Sequence, residues 1–239
     1  MYLSRLILDP RSREVQRDLA DCYRLHRRIL SLFPDLRIGS GARHEFGVLY
    51  RPDGYVLLLQ SRFLPDWERL PPRYLLDTGG DPLNPVVKDV SAHYAQISTG
   101  HELRFRLRAN PTRKIDSWSD RPGFRPNGRR VDLRREEDQI RWLVRKGEQH
   151  GFRVLSVHVR PDTTALMPQP LQADARPAGK VIGWRRQEGG TQLLTFAAVI
   201  FEGVLRVEDS QAFREALERG IGPGKAFGFG LLSVAPVRE

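Results

Sequence analysis

Residues 2–8 alternate apolar and polar positions, which predicts a strand with one face in a core. Over 21–33 the period turns helical, with Asp21 as N-cap and Pro34 as the stop. Residues 46–50 and 55–61 predict two strands joined across Arg51-Pro52-Asp53-Gly54, a hairpin turn. Residues 71–85, rich in proline and glycine, read as loop with at most one helical turn, and 86–97 as a weaker strand.

A second series begins at 101–109, where Leu103, Phe105, Leu107 and Ala109 occupy one strand face and Arg104, Arg106 and Arg108 the other. Residues 110–130 are polar and basic and read as a long mobile loop. Residues 134–150 carry Ile140, Leu143 and Val144 on one helical face, with Gly151 at the C-terminal end. Strands are predicted at 152–159, 181–186 and 193–207, the last broken at Glu202-Gly203 into a hairpin. A helix over 210–219, a glycine loop and a strand over 231–234 close the chain. Each half thus runs strand, helix, strand, strand, helix or loop, strand. That order predicts an α+β protein of two tandem ferredoxin-like βαββαβ domains, residues 1–97 and 98–239; the same four-stranded sheet is the scaffold of the RNA-recognition motif.

The glycine loop holds Gly220, Gly222, Gly224, Gly228 and Gly230 around Lys225. A backbone so bare of side chains points to close approach, with phosphate the natural ligand. Both common phosphate loops fail against it. The P-loop pattern lacks its earlier glycine and the Ser or Thr after Lys225, and the dinucleotide fingerprint breaks at Phe227. Both of those motifs also run strand, loop, helix, whereas here the helix comes first. A C-cap at Gly220 and a tight turn account for one or two glycines.

Composition sharpens the reading. The formal charge is +10, so a polyanionic partner is expected. Only five of the 39 basic residues are lysine. The arginine fork suits phosphate, although a GC-rich genome would write the same bias. Cys22 stands alone, which excludes an intrachain disulfide and a cysteine-based zinc site. The N-terminus is too short and interrupted in its apolar run for a signal peptide or a membrane span, so a soluble cytoplasmic protein is expected, without membrane contact and monomeric when isolated.

Tyr23 and His26 lie on neighbouring positions of the first helix, beside Arg27. An imidazole next to a phenol suits proton transfer at a phosphodiester. If the helix starts as early as Val15, however, His26 falls within an apolar stripe of Val15, Leu19, Cys22, Ile29 and Phe33 and is a core histidine. If Asp21 starts it, the stripe shifts to Leu25, Ile29 and Leu32 and His26 lies beside it. The two cases stand even. Arg104, Arg106 and Arg108 would repel one another unless an anion covers them, although a solvated face is the commoner reading. Arg185 and Arg186 precede Glu188-Gly189-Gly190 and would sit near a hairpin tip. His44, His93, His101, His150 and His158 show no metal spacing, and the acidic residues do not cluster for a two-metal nuclease. No metal and no cofactor are expected.

With these residues in view the chain resembles the CasE-type endoribonucleases of type I-E CRISPR systems, within the RAMP superfamily. The resemblance spans the whole chain. Its landmarks are Tyr2-Leu3-Ser4, Tyr23-Arg24-Leu25-His26, the run from Phe105 through Asn110-Pro111, Phe201-Glu202-Gly203-Val204-Leu205, and residues 220–236. The most specific is Gly220-Ile221-Gly222, five residues, then Gly228-Phe229-Gly230, which matches the superfamily glycine loop. The resemblance implies metal-independent cleavage of CRISPR repeat RNA at the base of its stem-loop, leaving a 5′-hydroxyl and a 2′,3′-cyclic phosphate or 3′-phosphate. It implies His26 as principal acid/base with Tyr23 assisting, and retention of the product within the Cascade complex beside other subunits. It places Arg185 and Arg186 on a basic hairpin that grips the stem, and Gly222, Gly224, Lys225 and Gly228 in an RNA-holding wall; Arg27, Arg104, Arg106 and Arg108 complete the expected RNA-binding set. Gln187 and Glu188 stand where some relatives carry lysine, so no catalytic lysine is carried over. A non-catalytic RNA-binding subunit of such a complex, or a nonspecific basic RNA-binding protein, remains open at this point.

Overall fold

The computed structural model describes residues 1–34, 45–115, 129–161, 179–187 and 190–237. Strands β1 (Tyr2–Ile7), β2 (Leu49–Asp53), β3 (Val56–Ser61) and β4 (Val86–Asp89) form one antiparallel sheet in the order β2-β3-β1-β4. Helices α1 (Arg13–Ala20) and α2 (Cys22–Leu30) connect β1 to β2, and α3 (Ser91–Ala95) follows β4. The second half repeats the plan with β5 (Glu102–Ala109), α4 (Glu136–Gln149), β8 (Phe152–Pro161), β11 (Val199–Val207), α5 (Ser210–Arg219) and β12 (Leu232–Pro236). Its sheet is ordered β12-β5-β11-β8, which is the first sheet's arrangement counted along the chain. Two antiparallel pairs are inserted: β6 (Thr112–Ile115) with β7 (Arg129–Asp132), and β9 (Lys180–Gln187) with β10 (Gly190–Ala197).

Each sheet buries one face under its own helices. Leu6, Leu57 and Leu59 of the first meet Leu25, Ile29 and Leu32 beneath α2. Phe105, Leu107 and Phe201 of the second meet Trp142, Leu143 and Phe213. The ferredoxin-like reading therefore holds in both halves.

Several local expectations are corrected. Arg13–Ala20 is a separate helix, because Asp21 leaves helical geometry (φ −135°, ψ 106°) and caps α2 by accepting from the Tyr23 and Arg24 amides. In the first half the second helix of the βαββαβ plan shrinks to a 3-10 turn, Trp67–Arg69. Pro71 and Pro72 lack amide protons and force Leu70 out of helical space (ψ 144°). Residues 86–97 form a short strand and then a helix. The expected break at Glu202-Gly203 is absent: β11 runs through it, and the strand is interrupted at Ala198 instead, between β10 and β11. Gly203 serves close packing there, since a side chain would be driven into the Ser156 carbonyl of β8. The ends of the expected 110–130 loop pair as β6 and β7, with Thr112 opposite Asp132, while residues 116–128 lie outside the described residues.

The first sheet is tied to a helix of the second half by a buried polar group. Gln60 Nε2 donates to the Leu217 carbonyl at 2.8 Å, one of the orphan acceptors at the end of α5, and Gln60 Oε1 accepts from Tyr94 Oη at 2.8 Å. Burial is the main reason the Tyr94 phenol is pushed up to about 12, with Glu218 adding to it.

Gly203→Ala is expected to lose roughly 1–3 kcal/mol of stability, because β8 and β11 must separate to admit a methyl group. Urea denaturation checks this, and an unchanged midpoint would contradict the close-packing account.

Candidate active site

Helix α2 is pinned before it presents anything. Arg28 Nε lies 2.8 Å from Asp18 Oδ2 and its terminal nitrogen 3.2 Å from Glu14, both on α1. Tyr74 Oη donates to the same Asp18 oxygen at 3.1 Å, and burial, reinforced by that carboxylate, pushes its phenol well above the ordinary tyrosine range. The cap at Asp21 starts the helix there, as in the second alternative, and Leu25, Ile29 and Leu32 are buried, although Val15, Cys22 and Phe33 of the first stripe are buried as well. Tyr23 and His26 lie half-buried on the flank of α2, and Arg27 is exposed.

That flank faces the C-terminal half. The His26 ring meets Phe227 edge-on at 5.8 Å between centroids. Phe227 belongs to a 3-10 turn, Lys225–Phe227, inside the glycine loop, and it packs on Phe196 of β10 at 5.0 Å. Residues two hundred positions apart thus share one wall. The N-terminal end of α2 meets β9: the Trp184 amide donates to Asp21 Oδ1 at 3.2 Å. A Cβ on Gly183 would stand 2.6 Å from Cys22 Sγ and 3.0 Å from the Tyr23 nitrogen.

All five loop glycines have φ between 72° and 87°, a region costly for other residues. They also fit tight spaces, Gly222 against Trp142 and Gly228 against Pro52 and Tyr50. The loop is held on itself by Ile221 N to Gly230 O at 2.9 Å, and on β2 by Tyr50 Oη to the Ala226 carbonyl at 2.7 Å. Gly222, Gly224 and Lys225 stay partly exposed, while Gly228 is buried. At the end of α4, burial, Lys146 and Lys225 together hold His150 below the ordinary imidazole range.

The three arginines of β5 have different fates. Arg104 is exposed. Arg106 pairs with Asp53 at 3.0 Å and Glu202 at 3.2 Å. Arg108 is 3% exposed, donates to the Gly228 carbonyl at 2.9 Å, and lies 4.5 Å over the Phe229 ring. The expected repulsion on this face is therefore relieved from within by two carboxylates and by carbonyls. Arg108 and Gly228 build the loop; neither is displayed to a polyanion. Arg185 and Arg186 are both exposed, but strand alternation separates them. Arg185 continues the β9 face of Val181 and Gly183 that packs toward α2, whereas Arg186 shares the outer face with Trp184. The tip residues Glu188 and Gly189 lie outside the described residues.

Sequence reasoning missed Phe227, Tyr50 and the Arg51–Asp53 pair. Arg51 Nε bonds Asp53 at 2.9 Å and its terminal nitrogen bonds Ser233 Oγ at 2.7 Å across the sheets. Pro52 and Asp53 read only as turn formers, so the charge flanking them carried no signal. Among the described residues, no three His, Cys, Asp or Glu side chains gather as a metal site, and no helix is long and apolar enough to cross a membrane.

A family model described as CRISPR associated protein matches residues 1–236. The chain belongs to that family of CRISPR-associated proteins. It is 35% identical over 239 residues to the CRISPR-associated endoribonuclease Cse3 of Thermus thermophilus, covering 99% of this chain and all of that one. It is 34% identical to the Cascade subunit CasE of Escherichia coli K12, again over 99% of this chain and the whole relative. A solved structure of Thermus thermophilus Cse3 bound to an RNA representing a pre-cleavage complex superposes with a TM-score of 0.66 at 32% identity over 98% of each chain.

The geometry separates two arginines four residues apart. Arg108→Ala strands buried carbonyls and is expected to cost roughly 1–3 kcal/mol of stability, whereas Arg104→Ala stays within about 0.5 kcal/mol of the parent. Thermal melts of the two variants decide it; equal losses would refute the internal role of Arg108.

Proposed function

We propose that this chain is an endoribonuclease that cuts CRISPR precursor RNA at the base of the repeat stem-loop, without a metal ion, and keeps the product as a Cascade subunit. The observation that carries the reading is the placement of the Tyr23/His26 flank beside both the glycine loop and the arginine-bearing strand β9, in a chain of this family. A relative named as an endoribonuclease and another named as a Cascade subunit, each matched over the full chain, support it.

In the reaction the ribose 2′-oxygen attacks the adjacent phosphorus and the 5′-oxygen leaves. One proton departs from the 2′-hydroxyl and one arrives at the 5′-oxygen, so a 5′-hydroxyl and a 2′,3′-cyclic phosphate result. His26 is the principal proton-transfer group and Tyr23 assists it, both on one rigid helix. An imidazole titrates near neutrality and serves in either direction. The Phe227 ring fixes one edge of His26 and shields that side from water. Arg185 reaches the stem phosphates from the α2 side of the hairpin, and Arg186 from the outer side; Arg27 and Arg104 extend the basic surface, and the amides and lysine of residues 222–225 line the strand's path.

His26→Ala is expected to lower single-turnover cleavage of a repeat hairpin in EDTA by roughly 10²–10⁴-fold while leaving affinity nearly intact. Full cleavage by that variant would remove His26 from catalysis, and turnover that depends on added divalent metal would refute the metal-free mechanism. A hairpin with 2′-deoxyribose at the scissile nucleotide should resist cutting while binding normally; ordinary cleavage of it would rule out 2′-hydroxyl attack.

A further inference from the structure

Asp21 is doubly engaged. Its Oδ1 accepts from the Tyr23 amide at 2.9 Å and the Arg24 amide at 3.3 Å, which caps α2, and from the Trp184 amide at 3.2 Å, which belongs to β9. One carboxylate oxygen therefore joins the helix that carries Tyr23 and His26 to the strand that carries Arg185 and Arg186. The neighbouring Gly183 makes that junction possible. It has no positive φ, so glycine is required there by space alone: a Cβ would stand 3.0 Å from Asp21 Oδ1, 2.6 Å from Cys22 Sγ and 3.0 Å from the Tyr23 nitrogen. Val181, two residues earlier on the same face, is buried in a small apolar cluster with Cys22 and Phe229. From Gly183 to Arg185 is one strand repeat of ~6.8 Å. A displacement of the arginine reaches the first turn of α2 through the β9 backbone, the Trp184 amide and one short side chain, that of Asp21.

We propose that Asp21 is a positioning residue that makes catalysis depend on seating of the β9–β10 hairpin on its RNA stem. When the stem holds the hairpin, the Trp184 amide fixes the Asp21 carboxylate, and the carboxylate fixes the turn from which Tyr23 and, one turn on, His26 project. When the hairpin is displaced, that turn loses a fixed partner and the two proton-transfer groups leave the reacting atoms. Proton transfer tolerates little displacement, since a 1 Å error costs about 10²-fold in rate. This rests on the reading of α2 as the catalytic helix.

Asp21→Ser tests it, because serine caps a helix nearly as well as aspartate but is one bond shorter toward Trp184. The expected result is a single-turnover rate on saturating repeat hairpin lowered by roughly 10- to 100-fold, with hairpin affinity and melting temperature nearly unchanged. Asp21→Asn, which retains the acceptor at full reach, should restore most of the rate. Gly183→Ala, with Asp21 intact, should reproduce the loss, and the double variant should lose no more than either alone, since both break one junction. On a repeat whose stem strand is removed, the parent and the variants should cut at one slow rate. A parent-like rate for Asp21→Ser on the hairpin, or a deficit that persists unchanged without the stem, would overturn the coupling. His26→Ala run in parallel keeps the two readings apart. An inactive His26→Ala beside an unimpaired Asp21→Ser defeats the coupling alone, whereas an active His26→Ala defeats the catalytic helix itself.

Discussion

The close approach of the glycine loop to the first sheet is the constraint on which the rest of the molecule depends. Gly228 sits against Pro52 and Tyr50 with no room for a side chain, and Arg108 holds its carbonyl from behind. Only with that contact made does Phe227 reach His26. Two ferredoxin-like sheets could be joined in many relative poses. What selects one is a loop whose five glycines all occupy left-handed space and so can fold flat between two walls. The loop's conformation and the pose of the Tyr23/His26 flank are one fact seen from two sides.

The same economy explains the buried arginines. Arg51 contacts Asp53, the Arg106 carbonyl and Ser233, spanning both sheets with one planar fork. A lysine ammonium offers no such fixed set of directions. Burial pulls the Arg51 charge below its usual range, and the Asp53 carboxylate works against that pull. Removing Asp53 would leave the buried Arg51 guanidinium without its carboxylate, whereas Asp53 would keep Arg106 at 3.0 Å if Arg51 were lost.

Much of this was legible in the chain. The strand alternation of residues 101–109, the helix over 210–219 and the cap at Asp21 follow from local patterns, and the order of elements was enough for the fold. Helix α1 was legible only as an early start of the next helix, because its apolar stripe runs on through Cys22 and Ile29 and hides the break at Asp21. Gly203 was misread as a turn for a physical reason: glycine marks both chain reversal and close strand contact, and the partner that decides between them, Ser156, is far along the sequence. Tyr23 and His26 stood out in the sequence because their pairing is local to one helix turn. Phe227 was hidden by its place among glycines, where nothing in the residue order says which wall an aromatic will reach.

The charge of the chain reads differently once the arginines are placed. Composition alone treats every arginine as part of an anion-binding footprint. Here Arg28, Arg51, Arg106 and Arg108 are held by carboxylates or carbonyls of the fold itself. Counterion release depends only on charges that meet phosphate, and Arg51 and Arg108, 5% and 3% exposed, are out of a polyanion's reach. Of the arginines expected to meet RNA, Arg27, Arg104, Arg185 and Arg186 are exposed, and they are carried by α2, β5 and both faces of β9. A polyanion that touched them all would have to lie along the seam between the halves, which is where the Tyr23/His26 flank is held.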